Sequence, residues 1–365
     1  MLLFRAGPTF NHNHADQGEF LLRAFGENLA VEAGYSDYYK DPYYRTYFSQ
    51  AEGHNTLLVD GDTASQEIAD TPQFKALDRY PRIKHAITSD FYDALESELA
   101  PVYRDRLKTY TRRVIFLKPS YVVIYDDAVS RETPRAFDWL LHLSNQRELE
   151  MQPESALYST PKATMGIQVL EPAHASLTTR IGHLPFALLS AAASGVLPPV
   201  PAILDVRPAA PALEQKFIVV LSLARKKEEA AGLMSQVKEI SGSAYTGVQI
   251  GEQKLFFSSA PVSSYGDWTT DARVWSFSST IVTGEDTTIV RDGKKVIWQS
   301  DVAASFVAKY SSQGIELTVS SERPANIHFY PGFKLSVASG IHAFKLAYPQ
   351  PAAAAHPARV SIPPR

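Results

Sequence analysis

The chain has no cysteine among its 365 residues. That excludes disulfide staples and thiolate metal sites, so any metal must rest on His, Asp or Glu. It also lacks an excess of either charge: 36 Lys and Arg stand against 39 Asp and Glu, a formal net charge of -3. A general nucleic-acid binder, which carries a basic excess, is thereby excluded. A polyanionic sugar is not, because a local cluster of Arg and Lys can sit inside a nearly neutral protein. No run approaches the ~20 apolar residues needed to span a bilayer. Residues 1–8 have no charged region followed by a long apolar core, so they do not read as a signal peptide. They read as the first strand of a fold already under way, with the expectation that a preceding domain is missing from this chain. Helical patterning is scarce as well: residues 226–237 predict one helix and residues 42–50 a turn or two.

What fills the chain is the punctuation of a β protein, short runs of Val, Ile, Phe, Tyr and Thr between Gly, Pro, Asp and Ser clusters. Strands are expected at residues 19–25, 55–59, 137–143, 216–223 and 274–278. A hairpin is expected from 112–117 to 121–125 across Lys118-Pro119-Ser120. A second spans residues 287–299 through Asp292-Gly293, a pair that supplies the positive φ a tight turn needs. Further strands are expected at 304–309, 315–320 and 342–346. The fold class predicted is all-β: a large antiparallel β-sandwich, supersandwich-like, over residues 1–270 and a smaller β module over 271–348. The Ala- and Pro-rich stretch 349–365 has little to bury and is expected to be a disordered tail.

Chemistry is concentrated in Asn11-His12-Asn13-His14-Ala15-Asp16-Gln17-Gly18. In an extended segment His12 and His14 would project side by side, since residues i and i+2 share a face; in a tight turn they would serve different pockets. A bare His-x-His is as often a polar loop with exposed imidazoles. The later residues shift the balance. Glu32 is a lone carboxylate in an apolar stretch, Leu29-Ala30-Val31-Glu32-Ala33, and carboxylates are rarely buried without a partner. His54 opens another apolar run. Two imidazoles and one carboxylate make a three-ligand zinc set, and His14, Glu32 and His54 are the expected ligands, with His85 in reserve. The alternative places Glu32 in solvent and gives His54 a loop hydrogen bond.

Six of the eighteen tyrosines, Tyr35, Tyr38, Tyr39, Tyr43, Tyr44 and Tyr47, fall between Glu32 and His54. Phenol rings pack on sugar faces while the hydroxyl stays polar, although aromatic anchoring of a loop explains most of such a run. Tyr43 and Tyr39 are the candidate catalytic phenols. The basic group Arg104, Arg106, Lys108, Arg112 and Arg113 alternates along a strand, which suits either a solvated face or bidentate capture of carboxylate or sulfate. Arg112, with the amides Asn11 and Asn13, is a candidate substrate contact.

The window Asn-His-Asn-His-Ala-Asp-Gln-Gly, then Gly26-Glu27-Asn28-Leu29, Gly34-Tyr35 and His54-Asn55-Thr56-Leu57-Leu58-Val59-Asp60-Gly61, resembles the heparinase II/III-like family. Arg112-Arg113-Val114-Ile115-Phe116-Leu117-Lys118-Pro119, followed by Val122-Val123-Ile124-Tyr125-Asp126, fits the same style. The similarity is strong over residues 1–130; the rest agrees in being β-rich. The resemblance implies a polysaccharide lyase acting on uronate-containing chains such as heparan sulfate or alginate. It implies an N-terminal α/α toroid joined to a β-sandwich, with the active site between them and a mainly structural zinc in the sandwich. By the motif, His12 matches the catalytic histidine and His14 the adjacent metal ligand, while Glu32 stands where aspartate is usual. A toroid would supply further active-site residues, so a separate toroid domain or chain is an expected partner beside an acidic polysaccharide. A periplasmic or cell-envelope location is implied too. Two other readings remain open on sequence: a carbohydrate-binding module without catalysis, and a zinc hydrolase with Glu27 or Asp16 as base.

Overall fold

In a computed structural model of the chain, residues 1–8, 13–34, 36, 40–67, 80–185 and 199–348 are described. The expected tail, 349–365, lies outside them. The chain divides into two compact units, residues 1–240 with 247–251, and residues 241–246 with 252–365.

The first unit is built on three antiparallel sheets. The smallest joins β1 (Leu2–Phe4), β2 (Phe20–Ala24) and β3 (Glu27–Ala30) in that order. A four-stranded sheet runs β13 (Ser176–Ile181), β14 (Ala202–Arg207), β9 (Phe137–Leu143), β4 (Leu57–Val59). The largest has eight strands. Its order is β10 (Leu149–Gln152), β11 (Ser155–Ser159), β12 (Thr164–Glu171), β15 (Glu214–Ala224), β8 (Tyr121–Ser130), β7 (Leu107–Leu117), β6 (Tyr92–Glu98), β5 (Arg82–Thr88).

Alternation along the strands makes the core. Val114 on β7, Val122 and Ile124 on β8, and Val219 and Leu221 on β15 belong to one buried cluster with Trp139, Leu141 and Leu143 of β9 and Leu204 and Val206 of β14. Phe20 and Leu22 of β2 and Leu29 of β3 extend the same cluster. Inward residues of facing sheets thus form one apolar layer, as a sandwich requires, and the all-β sandwich read from the sequence is the fold observed. The predicted hairpin across Lys118-Pro119-Ser120 is present as β7 and β8, paired from Leu107↔Ser130 to Leu117↔Tyr121. Helix is confined to short pieces. Tyr44–Phe48 is one wide helical turn, Ala51–Gly53 a tight turn, Ala100–Tyr103 (α1) a single turn, and Lys227–Met234 (α2) the predicted helix.

Within the second unit, strands Gln253–Ser258, Val274–Phe277, Ile281–Asp292, Lys295–Ser311, Gly314–Ser321 and Gly340–Leu346 pair in sequence order. The Asp292-Gly293 turn is where the sequence placed it: Asp292 pairs with Lys295, and Gly293 has φ +56°. A second apolar cluster fills this unit around Trp298, Phe306 and Phe329, with Trp298 stacked on Phe306 at 4.3 Å between centroids.

Candidate metal centre and its surroundings

The first-unit chain brings three segments together at one end of β2 and β3. His14 lies on the segment that leads into β2, Glu32 just past β3, and His54 after the turns that precede β4. Backbone hydrogen bonds fix the junctions. Ala15 N–H donates to Ser49 O at 2.9 Å, Val31 N–H to His142 O at 3.0 Å and Ala33 N–H to Gly53 O at 2.9 Å.

Asn55 is the staple among these segments. Its amide donates to Phe20 O at 2.7 Å and to Val31 O at 2.8 Å, while its Oδ1 accepts from His142 N–H at 2.6 Å. Three backbone groups from three stretches of chain are satisfied by one side chain, which is how buried polar backbone off the ladder is paired. His142 itself is buried, and its Nε2 contacts Glu52 O at 2.9 Å. Burial lowers the His142 pKa to about 3, so the ring is neutral.

The result is a cluster in which one ligand atom each from His14, Glu32 and His54 lies within 4.8 Å of the others. The His14 and His54 rings have centroids 5.3 Å apart. His54 is fully buried, and its Nδ1 sits 3.6 Å from Glu32 Oε2 and 3.3 Å from Glu19 Oε1. Burial, with the neighbouring His54, pushes His14 down to about 4, and burial lowers His54 as well. Both rings are therefore neutral imidazoles near neutral pH, the form that donates a lone pair to a metal. The carboxylates show the opposite strain. Burial raises Asp16 to about 6 and Glu19 to about 8, and raises Glu32 with help from the Glu19 charge. Two neutral imidazoles, one of them fully buried, beside the half-exposed carboxylate of Glu32 form a donor set that suits a divalent cation. The residues present fit zinc.

Arg112 was expected to meet substrate, and the structure corrects this. It is fully buried, with Nε and Nη2 donating to the two oxygens of Asp126 at 2.7 and 2.8 Å. Its Nη1 donates to Gly18 O at 2.6 Å and Asn55 O at 2.7 Å. Trp139 Nε1–H adds a third bond to Asp126, at 2.9 Å. With its donors engaged inside the sandwich, the guanidinium cannot reach a ligand. It holds instead the carbonyls beside Glu19 and His54, and so braces the centre from behind. The alternation of basic residues marked it as facing one side of β7, and that side is the core; Arg113, on the other side, pairs with Glu96 at 2.8 Å.

The remaining expectations fall as follows. Asn11, His12 and Tyr39 lie outside the described residues. Asn13 is half-buried next to His14. Tyr43 is 37% exposed, and its ring stacks on His183 at 3.6 Å with the planes 15° apart. Tyr47 is buried edge-on against the same imidazole at 4.8 Å. His85, the reserve ligand, sits on β5 in register with Glu96 and is not a member of the cluster. Sequence reasoning missed Glu19, Asn55 and His183. A buried carboxylate before β2 gives no pattern of its own, and His183 lies in Arg180-Ile181-Gly182-His183 with nothing around it to flag it.

The geometry can be set beside known proteins. The heparinase II/III-like, C-terminal family matches residues 1–193, more than half of the chain and the whole of the segment that carries His14, Glu32 and His54. The chain belongs to the heparinase II/III-like family. Among solved structures, the heparan sulfate lyase HepC of Pedobacter heparinus is similar, with TM-score 0.51, 18% identity, and coverage of 73% of this chain and 40% of that one. A mutant of the same lyase gives TM-score 0.52 at 17% identity, covering 70% of this chain and 38% of that one. A heparinase III structure gives 0.50 at 17%, covering 68% and 37%. At these identities the likeness speaks for the fold, and this family member spans about two fifths of the length of each of those chains. No curated protein sequence matches the chain.

Proposed function

We propose that this chain is the β-sandwich part of a polysaccharide lyase that cleaves a uronate-containing acidic polysaccharide, such as heparan sulfate or alginate, by β-elimination. The observation that carries the reading is the convergence of His14, Glu32 and His54 within 4.8 Å inside the family-matched segment. In the reaction a base removes the uronate C5 proton and the 4-linked oxygen departs with the bonding pair as the C4–C5 double bond forms. Negative charge grows on the uronate carboxylate meanwhile, and fixed donors in a water-poor cleft stabilise it best. His12, two residues before a ligand, is the base or charge stabiliser, with Asn11 and Asn13 as substrate contacts. Tyr43 supplies a phenol whose ring plane is set by the stack on His183; Tyr39 is the other phenol proposed. Zinc, when bound by His14, Glu32 and His54, supplies a local cross-link and two positive charges. An α/α toroid completes the cleft, and the protein works in the periplasm or cell envelope.

The test is release of unsaturated uronate, read as ultraviolet absorbance, from the chain mixed with or joined to an α/α toroid of the family. His12→Ala should abolish it by lowering turnover ~100-fold or more, the scale of one general acid–base group. Cleavage that yields no unsaturated product, or turnover indifferent to His12→Ala, overturns the reading. Retained polysaccharide affinity with no turnover in any combination would favour a binding module.

A further inference from the structure

The basic run of residues 104–113 splits by destination. Arg112 enters the core, Arg113 pairs with Glu96, and Arg106 is held by Asp62 and by the carbonyl of Ala64. Arg104 and Lys108 are left on the surface. There they meet Arg82 of β5 and Arg131, the residue just past β8, around a groove of about 660 Å³ in the first unit. Small organic ligands occupy volumes of that order, roughly 300 to 1,000 Å³. Two carboxylates, Glu98 and Asp105, line the same groove. None of these six residues belongs to the cluster of His14, Glu32 and His54.

The groove is built, not a chance meeting of long side chains. Arg104 follows α1 with φ +30°, a conformation that a residue with a side chain keeps only where its surroundings hold it. Arg131 does the holding. Its backbone N–H donates to Arg106 O at 3.1 Å and its Nε to Arg104 O at 2.6 Å. Arg104 is fixed in turn through its own Nε, which pairs with Glu67. Both guanidinium groups are thus anchored at Nε, and their terminal nitrogens make no further bond among the described residues. Arg82, Lys108, Glu98 and Asp105 form no ion pair among those residues either; Glu98 Oε1 accepts from Ala100 N–H at 3.2 Å. The charges around the opening therefore face the space between them and not each other.

Separated cations and carboxylates suit a ligand that carries both spaced negative charges and hydroxyl groups. An arginine fork takes a carboxylate or sulfate through two parallel bonds, and a carboxylate accepts from a hydroxyl. A dense polyanion would be repelled by Glu98 and Asp105, and a neutral sugar would leave the cations unused. We propose that this groove is an additional binding site for acidic polysaccharide. Arg82, Arg104, Lys108 and Arg131 hold a uronate or sulfate group of the chain, while Glu98 and Asp105 accept from its hydroxyls. The choice of polymer rests on the lyase reading given above.

The test is calorimetric titration of the full chain with size-matched oligosaccharides of alginate, heparan sulfate and dextran. At least one acidic oligosaccharide should bind and dextran should not. Binding of alginate points to a carboxylate as the group held, and binding of heparan sulfate alone to a sulfate. The double variant Arg82→Ser with Lys108→Ser should weaken that binding about 10-fold or more, the scale of lost charge-assisted contacts, and flatten its salt dependence. Arg104→Gly separates binding from a merely structural role, because glycine tolerates positive φ: the melting temperature should hold or rise while affinity falls. His12→Ala should leave the binding unchanged. Unaltered affinity in both groove variants, loss of binding in His12→Ala alone, equal affinity for dextran, or no binding of either acidic sugar overturns the proposal. The lyase reading is decided separately, by unsaturated product in the presence of a toroid, so the failure of one is not mistaken for the failure of the other.

Discussion

A fully buried guanidinium lies at the heart of the first unit, whereas the polar hub of the second is a half-buried carboxylate on a connecting segment. Arg112 and Asp126 form a desolvated pair that grips the backbone carbonyls of Gly18 and Asn55. Asp271 accepts instead from the hydroxyls of Thr287 and Thr288 and from the amides of Thr288 and Ile289. Those amides belong to a place where the strand Ile281–Asp292 shifts register against its neighbour, between Gly284 and Ile289. An acceptor there satisfies donors that the ladder has dropped. The difference is one of purpose. A buried ion pair is a weak source of stability, since an apolar replacement of both partners is often as good; its return in the first unit is the placement of the two chain segments that carry His14 and His54. The second unit contains no such cluster among the described residues, and its charge repairs a kink.

Five perturbations test that contrast, in descending size. Arg112→Ala strands Asp126 in the core and should destabilise the chain by about 3–5 kcal/mol, measured by urea unfolding. The double replacement Arg112→Met with Asp126→Leu should recover much of that loss yet leave zinc affinity impaired; intact affinity would show that the pair does not position the centre. Metal removal comes next. If zinc saturates its site about 1,000-fold above its Kd, stripping it with a chelator should cost about 4 kcal/mol, seen as a lower calorimetric midpoint that added zinc restores. An unchanged midpoint would mean that no ion braces the first unit.

Asp271→Asn is expected to cost about 1–3 kcal/mol, because donors that met a carboxylate now meet a weaker acceptor. Burial alone would raise the Asp271 pKa, but the bonds from Thr287, Thr288 and Ile289 outweigh it and hold the carboxyl below its ordinary value. A depressed folded pKa means the stabilisation is complete above the unfolded pKa and is lost as pH falls through the folded one. The gap between parent and variant should therefore be constant near neutrality and close only in acid; a gap that widens in acid contradicts the role. Gly293→Ala is the smallest change. At φ +56° an L-residue is strained, and a loss of about 1 kcal/mol is expected in a thermal melt.

How far the sequence disclosed this molecule depends on whether a feature is local. Residues 137–143 form a strand with those bounds because their apolar run is buried on both faces. The hairpin of β5 and β6 gave no signal, since β5 is largely exposed and Arg-Ile-Lys-His-Ala-Ile-Thr lacks clean alternation. The strand β7 extends five residues before the predicted start, through exposed Lys108 and Thr109. For the centre, the order and chemistry of His14, Glu32 and His54 were legible, because their motifs are short. Glu19 was not, as its significance depends on a distance to a residue 35 positions away. Arg112 was misjudged for a related reason: alternation tells which residues share a face but not which face is the interior.

The Asn55 staple has a consequence for how the molecule is made. Its acceptors are Phe20 and Val31, but the amide that its own oxygen receives lies 87 residues further on, at His142. Every residue of the three-ligand cluster has been synthesised long before that third tie exists. A fragment that stops short of β9 would contain all three residues of the cluster and two of the three Asn55 ties, yet leave the Asn55 oxygen and the Val31 amide without their His142 partners, so the network around the cluster is not complete within the stretch that carries it.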